Sequence, residues 1–294
     1  MINRRQWISG TAALACWVQA RQAEAADGFA GLPAAFARIE AARGGMLGVA
    51  VLDTGTKQRA GYRQDERFPL GSTFKLLAAA AILARADAGQ DSMDRRVRYT
   101  QDDLVTYSPE TEKHAGGDGM TLATLCEAAV ILSDNTAGNL LLDTLGGPQG
   151  FTAYLRSLGD GVTRLDRRET ALNEARPGDP RDTTSPAAML ASLQALTVGS
   201  ALSDPAKAAL LGWLRNNKTG DARLRAGLPS GWQAGEKTGS SENGTSNDVG
   251  LLWPPNGGAA VLVAAYLTQG PADGKLRDAA LADVGAAVTA AWTG

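Results

Sequence analysis

Ser72 and Lys75 stand three residues apart, just where Phe68-Pro69-Leu70-Gly71 gives way to an apolar run over 76–83. If that run is helical, the two side chains share one face. The serine then lies at a helix N-terminus, where partial positive charge favours a developing oxyanion. The same field, together with burial among Leu and Ala, disfavours a protonated lysine, so Lys75 can accept the serine proton. The pair has the chemistry of an activated nucleophile, although Ser-x-x-Lys alone is a common tetrapeptide and the serine would also serve as a helix cap.

Three other groups could complete such a site. Ser133-Asp134-Asn135 falls between two apolar helical runs. It can cap the second helix, or it can offer a proton-relay hydroxyl from Ser133 and an amide from Asn135 to a substrate carbonyl. Lys237-Thr238-Gly239 sits on a strand ahead of a hairpin. An inward lysine beside a hydroxyl can hold a carboxylate, and Gly239 clears the backbone for a ligand. Glu169 and Asn173 lie four apart in a polar loop, so one helical turn would aim both at the same water, which the carboxylate can activate. Tyr107, in Tyr107-Ser108-Pro109, fits a turn or the aromatic wall of a cleft. His114 lies in a polar, glycine-bounded stretch and reads as a surface residue.

Composition narrows the alternatives. The 294 residues carry a net charge of −2 and no basic run, so nothing draws the chain to nucleic acid. A single histidine cannot build a zinc helix or a multi-histidine site. Two cysteines, Cys16 and Cys126, rule out a disulfide scaffold. No metal or organic cofactor is implied; His114 is the one candidate base for a Ser-His-Asp triad, and the expected catalytic base is a lysine or a carboxylate.

The elements that must position these groups follow from periodicity. Phe29, Leu32, Phe36 and Ile39 recur at helical spacing until Gly44-Gly45. A strand is predicted over 46–53, a turn at Asp53-Thr54-Gly55, and a returning strand over 57–62. Helical runs at 73–86, 121–132, 136–145, 150–158, 186–196 and 205–215 follow. Strands resume at 237–241 and 248–253 around the hairpin signal Asn243-Gly244, then at 259–267, before a closing helix over 273–292. The order predicts a two-lobed α/β fold. An antiparallel sheet built from N- and C-terminal strands is flanked by helices, and an all-helical subdomain is inserted between them. The α/β lobe takes 26–69 and 217–294, the helical lobe 70–216. The segment 165–185 is long and has almost no apolar periodicity, as functional loops do. Arg167 and Asp182 can pair across its base, a brace that matters only if it is buried.

Residues 1–25 read as a twin-arginine-like leader: Arg4-Arg5, a modestly apolar stretch over 7–20, and Ala23-Glu24-Ala25 for cleavage. An exported, periplasmic protein is expected, secreted if the source lacks an outer membrane. Lipidation at Cys16 is the lesser alternative. No later run is long and uncharged enough to span a bilayer.

Taken in order and at these distances, Ser72-x-x-Lys75, Ser133-Asp134-Asn135 and Lys237-Thr238-Gly239 resemble the signature of active-site-serine penicillin-recognising enzymes. The stretch from Arg167 to Asn173, with Asp182 beyond it, resembles the Ω-loop of class A serine β-lactamases. Asp103-Leu104-Val105-x-Tyr107-Ser108-Pro109 and the run from Ser133 to Leu142 extend the likeness. The resemblance implies a monomeric hydrolase acting on small-molecule β-lactams, penicillins and cephalosporins, and conferring antibiotic resistance. Ser72 would be the nucleophile, Lys75 or Glu169 the base for its attack, Ser133 the donor to the leaving nitrogen, and Glu169 with Asn173 the activator of the deacylating water. The N–H groups of Ser72 and Ser240 would form the oxyanion hole. Lys237, Thr238, Gly239 and Ser240, with Arg223, would bind the substrate carboxylate, and Tyr107 and Asn135 would flank the acyl side chain. Neither disulfide known in the family is possible, since Gly71 and Ser241 hold one pair of positions and Ala79 stands opposite Cys126. The bond after Glu169 is often cis in the family. A cell-wall D,D-peptidase would share the three motifs but normally lacks the deacylating glutamate; a β-lactam sensor would be acylated without turnover and would normally be tethered to a membrane span.

Overall fold

The computed structural model describes residues 28–292, and the leader expected over 1–25 lies outside the described residues. Helix α1 (Gly28–Arg43) precedes strands β1 (Met46–Asp53), β2 (Arg59–Tyr62) and the short β3 (Phe68–Pro69). Helix α2 (Phe74–Asp87) is followed by the small strands β4 (Arg96–Val97) and β5 (Met120–Thr121), then by α3 (Leu122–Ile131), α4 (Asn135–Thr144) and α5 (Gly147–Ser157). Strand β6 (Thr183–Thr184), α6 (Pro186–Thr197), α7 (Asp204–Arg215), β7 (Gln233–Ser241), β8 (Thr245–Trp253), β9 (Val261–Thr268) and α8 (Gly274–Ala291) complete the chain.

Five strands form one antiparallel sheet in the order β2-β1-β9-β8-β7. Strands β1 and β9 are apolar at nearly every position because both faces are covered. Side chains alternate between two cores. Leu47, Val49 and Val51 of β1 and Val261, Val263 and Ala265 of β9 meet Phe29, Leu32 and Phe36 of α1 and Leu281, Val284 and Val288 of α8. Ala50, Leu52, Leu262, Ala264 and Tyr266 face the other way, toward Phe68, Met189, Leu190 and Leu193. Helix α6 therefore packs on the sheet, against β1 and β9.

Helix α2 is the axis of the helical region. Every residue from Phe74 to Leu83 is buried, so the helix is apolar all round, as an enclosed helix must be. Helices α3, α4, α5 and α7 surround it. The polar residues between helices act as caps: the side chains of Thr121, Asp134, Ser185 and Ser203 accept the N–H of Thr124, Ala137, Ala188 and Ala206. Cys126 is buried and unpaired.

Two strands extend beyond their predicted bounds, β2 falls short, and β9 is shifted to Val261–Thr268 from the expected 259–267. β7 begins at Gln233 and β8 at Thr245, because the pairing of Ser241 with Thr245 carries the ladder to the edge of the Asn243-Gly244 turn. Both turn residues have positive φ, 53° and 66°. β2 starts two residues late because Lys57, at φ 66°, still belongs to the turn.

Candidate active site

Ser72 lies in a 3-10 turn, Gly71–Thr73, that runs straight into α2. Lys75, one turn on, is wholly buried. Its Nζ reaches four oxygens: Ser72 Oγ at 2.9 Å, the Ser133 carbonyl at 2.9 Å, Asn135 Oδ1 at 2.5 Å and Glu169 Oε1 at 2.9 Å. Burial lowers the Lys75 pKa, and the Glu169 carboxylate opposes the shift. The Ser133 and Asn135 oxygens can only accept, so they hold two Nζ protons in either charge state. The remaining Nζ position is a proton on the ammonium and a lone pair on the amine, and it faces Ser72 and Glu169. Ser72 Oγ in turn donates to Glu169 Oε1 at 3.3 Å. The arrangement gives the serine proton two places to go.

Ser133 sits between α3 and α4 with φ 59°, a left-handed conformation that few non-glycine residues adopt. Asp134 holds the junction: its Oδ2 accepts the N–H of Glu110 and Thr111, and its Oδ1 accepts the Thr111 hydroxyl and Ala137 N–H. The Asn135 N–H meets the carbonyl of Tyr107, whose ring stands at the cleft edge, 56% exposed.

Glu169 is carried by the 165–185 loop, whose 3-10 turn Ala171–Glu174 brings Asn173 back toward it. Asn173 Nδ2 donates to Glu169 Oε2 at 2.6 Å. The Glu169–Thr170 peptide bond is cis. A residue given no role in the sequence reading fixes this carboxylate: Asn139 of α4 donates to the Glu169 carbonyl at 3.0 Å and accepts its N–H at 2.9 Å. Asn139 follows Asn135 by one helical turn, and that spacing was the available signal. At the loop base, Asp182 Oδ2 accepts from Arg167 Nε at 2.5 Å, while Oδ1 accepts the N–H of Asp166 and Arg167. The Asp182 side chain is 1% exposed and that of Arg167 17%, so this is a buried pair. Removing one partner of such a pair costs about 3 kcal/mol. Asp182→Asn is therefore expected to lower Tm by roughly 6–12 °C in a calorimetric scan; an unchanged Tm would count against the brace.

Strand β7 forms the opposite wall. Lys237 is fully buried, and its Nζ donates to Ser133 Oγ at 3.0 Å and to the Thr238 carbonyl. Burial first, then the nearby charges of Lys75 and Arg223, hold its pKa well below the usual lysine value. Glycine is required at two points. A Cβ on Gly239 would stand 2.9 Å from the Leu70 carbonyl. A Cβ on Gly71, at φ 49°, would meet Ser241 Oγ at 2.8 Å and the Ser240 nitrogen at 3.3 Å, which brings the Ser240 N–H close to the turn that carries Ser72. Arg223 enters from an adjacent 3-10 turn: Asp278 of α8 holds its Nε, and its amino groups donate to Ser240 Oγ at 2.7 Å and to the carbonyls of Gly239 and Asn247. Thr219, not singled out from sequence, shares a hydrogen bond with Thr238 at 2.5 Å. Ser72, Tyr107, Ser133, Asn135, Asn173 and Thr219, together with Arg223, Thr238 and Ser240, line a cavity of about 250 Å³. Lys75, Glu169, Lys237 and Gly239 lie beneath that lining, where they hold the lining groups in place. His114 lies outside it, half-exposed beside Glu110. A larger cavity of about 550 Å³ lies against α3, but the convergent polar groups belong to the smaller one.

Behind β7, Glu236 and Asp248 are buried together. Burial and the Asp248 charge push Glu236 up to about 9 despite Arg225 at 3.0 Å. Burial likewise raises Asp248 to about 6. Unfolding releases the Glu236 proton anywhere above its ordinary pKa of about 4.3, so the native state binds more protons between that pKa and about 9. Stability accordingly falls as pH rises through this window, by up to roughly 1.4 kcal/mol per pH unit. Glu236→Gln is expected to flatten this slope in denaturant melts between about pH 5 and 9; an unaltered slope would contradict the assignment.

A serine, two buried lysines, a loop carboxylate and a bridging hydroxyl, set between a five-stranded antiparallel sheet and a helical region, define an acyl-transfer site. The profile of the β-lactamase enzyme family matches residues 32–292. The chain is 48% identical over 250 residues to β-lactamase L2 of Stenotrophomonas maltophilia, covering 85% of this chain and 82% of that protein. It is 49% identical to β-lactamase AST-1 of Nocardia asteroides, covering 84% and 79%. An ancestral class A β-lactamase superposes with a TM-score of 0.87 at 58% identity, over 89% of this chain and all of that one. A putative class A β-lactamase, PenP, from Rhodopseudomonas palustris gives 0.86 at 57% identity, over 89% and 99%. The chain belongs to the β-lactamase enzyme family, and its fold is that of the class A enzymes.

Proposed function

We propose that this chain hydrolyses the β-lactam amide of penicillins and cephalosporins through an acyl-enzyme on Ser72, and so confers antibiotic resistance. Ser72 Oγ attacks the lactam carbonyl, and its proton passes to Lys75 or Glu169. As the C–N bond breaks, Ser133 protonates the leaving nitrogen and recovers the proton taken from Ser72, so that Lys75 and Glu169 return to their starting states; Lys237, 3.0 Å from Ser133 Oγ, holds that hydroxyl in place. The oxyanion is held by the N–H groups of Ser72 and Ser240. Water held by Glu169 and Asn173 then gives a proton to Glu169 and attacks the ester; the serine oxygen leaves and is reprotonated. Lys237, Thr238, Gly239, Ser240 and Arg223 receive the substrate carboxylate, with Tyr107 and Asn135 beside its acyl chain. Two lobes, 26–69 with 217–294 and 70–216, enclose the substrate, and the enzyme works without metal or organic cofactor, as a monomer.

The single observation that carries this reading is Glu169, buried within 3.3 Å of Ser72 Oγ and bonded to Asn173, which supplies the base that deacylation needs. Steady-state hydrolysis of a chromogenic cephalosporin tests it, with Ser72→Ala as control. Many turnovers by the wild type and none by the variant are expected. A stoichiometric burst without turnover would favour a peptidase or sensor, and no burst would overturn the reading.

No helix among the described residues is long and apolar enough to cross a membrane. The leader-like pattern of Arg4-Arg5, the apolar stretch over 7–20 and Ala23-Glu24-Ala25 supports an exported, periplasmic enzyme.

A further inference from the structure

The cavity against α3 is more than twice as large as the catalytic cleft, about 550 against 250 Å³, and within the usual range of small-ligand sites. Met120, Ala128, Ile131 and Leu132 give it an apolar floor, with the cations of Arg96 and Lys218 at its edge. It stands back to back with the cleft: Leu132 and Lys218 line it, while their neighbours Ser133 and Thr219 line the cleft. The Lys218 N–H donates to the Ile131 carbonyl and ties the two walls together.

The charges around this cavity do not balance. Glu110 is neutralised from its own segment, by Lys113 at 2.7 Å and with His114 at 3.3 Å. The hydroxyls of Thr121 and Thr124 bond to each other. Arg96 Nη1 spends its bond on an uncharged acceptor, the Gly119 carbonyl. Lys218 Nζ has no side-chain partner among the described residues, and neither has the exposed Glu127 carboxylate. Two uncompensated cations thus face one carboxylate at the mouth of an apolar pocket.

We propose that this cavity is a second binding site, separate from the catalytic cleft, for an amphipathic monoanion: an apolar body laid on Met120, Ile131 and Leu132, with its acidic head between Lys218 and Arg96. The pairing follows from the chemistry of the lining, since an apolar molecule alone would make no use of the two exposed cations and a small inorganic anion would leave the apolar floor uncovered.

The test is fluorescence titration of the chain with 8-anilinonaphthalene-1-sulfonate, a two-ring apolar body bearing one negative charge. Saturable one-to-one binding is expected. Lys218→Glu should weaken it at least fivefold, Lys218→Arg should preserve it, and Thr124→Trp, which fills the cavity from α3, should abolish it. Lys218 is exposed, so its variants keep the fold if Thr124→Trp does not. Absence of saturable binding to the wild type would overturn the proposal. So would binding that Lys218→Glu leaves unchanged, since the dye would then occupy another site.

Discussion

Glu169→Gln is expected to be acylated by a penicillin at a rate near that of the parent enzyme, yet to release product at least about 10³-fold more slowly, within the range for loss of a general base. The amide preserves the shape of the side chain and its contact with Asn173, so the loss falls on proton transfer from the water. Acylation survives because Lys75, whose pKa burial lowers, stays 2.9 Å from Ser72 Oγ and as the free amine can take the serine proton. Stopped-flow absorbance would register a burst of one equivalent followed by a nearly flat phase. Equal slowing of both phases would mean that Glu169 is indispensable to both steps.

Lys75→Met should shift the bottleneck to the other half of the reaction. The substitution keeps the apolar stem in the α2 core but removes the group that ties Ser72, Ser133, Asn135 and Glu169 together. Acylation is expected to fall by about 10³, and no acyl-enzyme should accumulate. The double variant with Glu169→Gln has neither acceptor within reach of the serine proton and should form no adduct. The two effects should not add, because both residues handle the same proton. Rapid-quench measurement of the adduct across the four enzymes tests this. An acylation rate in Lys75→Met close to that of the parent would exclude the lysine as a base and leave the step to Glu169.

The parts legible in the sequence were those fixed by short spacing. Ser72 and Lys75 share a helix face, Glu169 and Asn173 share a turn, and the Asn243-Gly244 hairpin announced the β7–β8 wall. The apolar periods of the helices and strands gave the layered α/β arrangement. What sequence hid were contacts made by residues distant along the chain. Asn139 clamps the backbone of Glu169, 30 residues away. Asn247 holds the carbonyls of Pro69 and Leu70 from 178 and 177 residues away, fixing the turn that carries Ser72. Thr219 carries no local signal in the sequence, and only the approach of Thr238 gives it a place in the cleft. The packing of α6 on the sheet was hidden too, since its apolar pattern fits a helical neighbour or a strand equally well.

The central claim, that Ser72 forms an ester which Glu169 clears, is tested most directly by intact mass. Glu169→Gln and the parent enzyme are mixed briefly with benzylpenicillin, quenched in acid, weighed and digested. The account predicts one added penicilloyl group on the Glu169→Gln protein, located on the peptide containing Ser72, and unmodified parent enzyme alongside fully hydrolysed drug. An adduct on another residue, or none while the drug is still consumed, would contradict it.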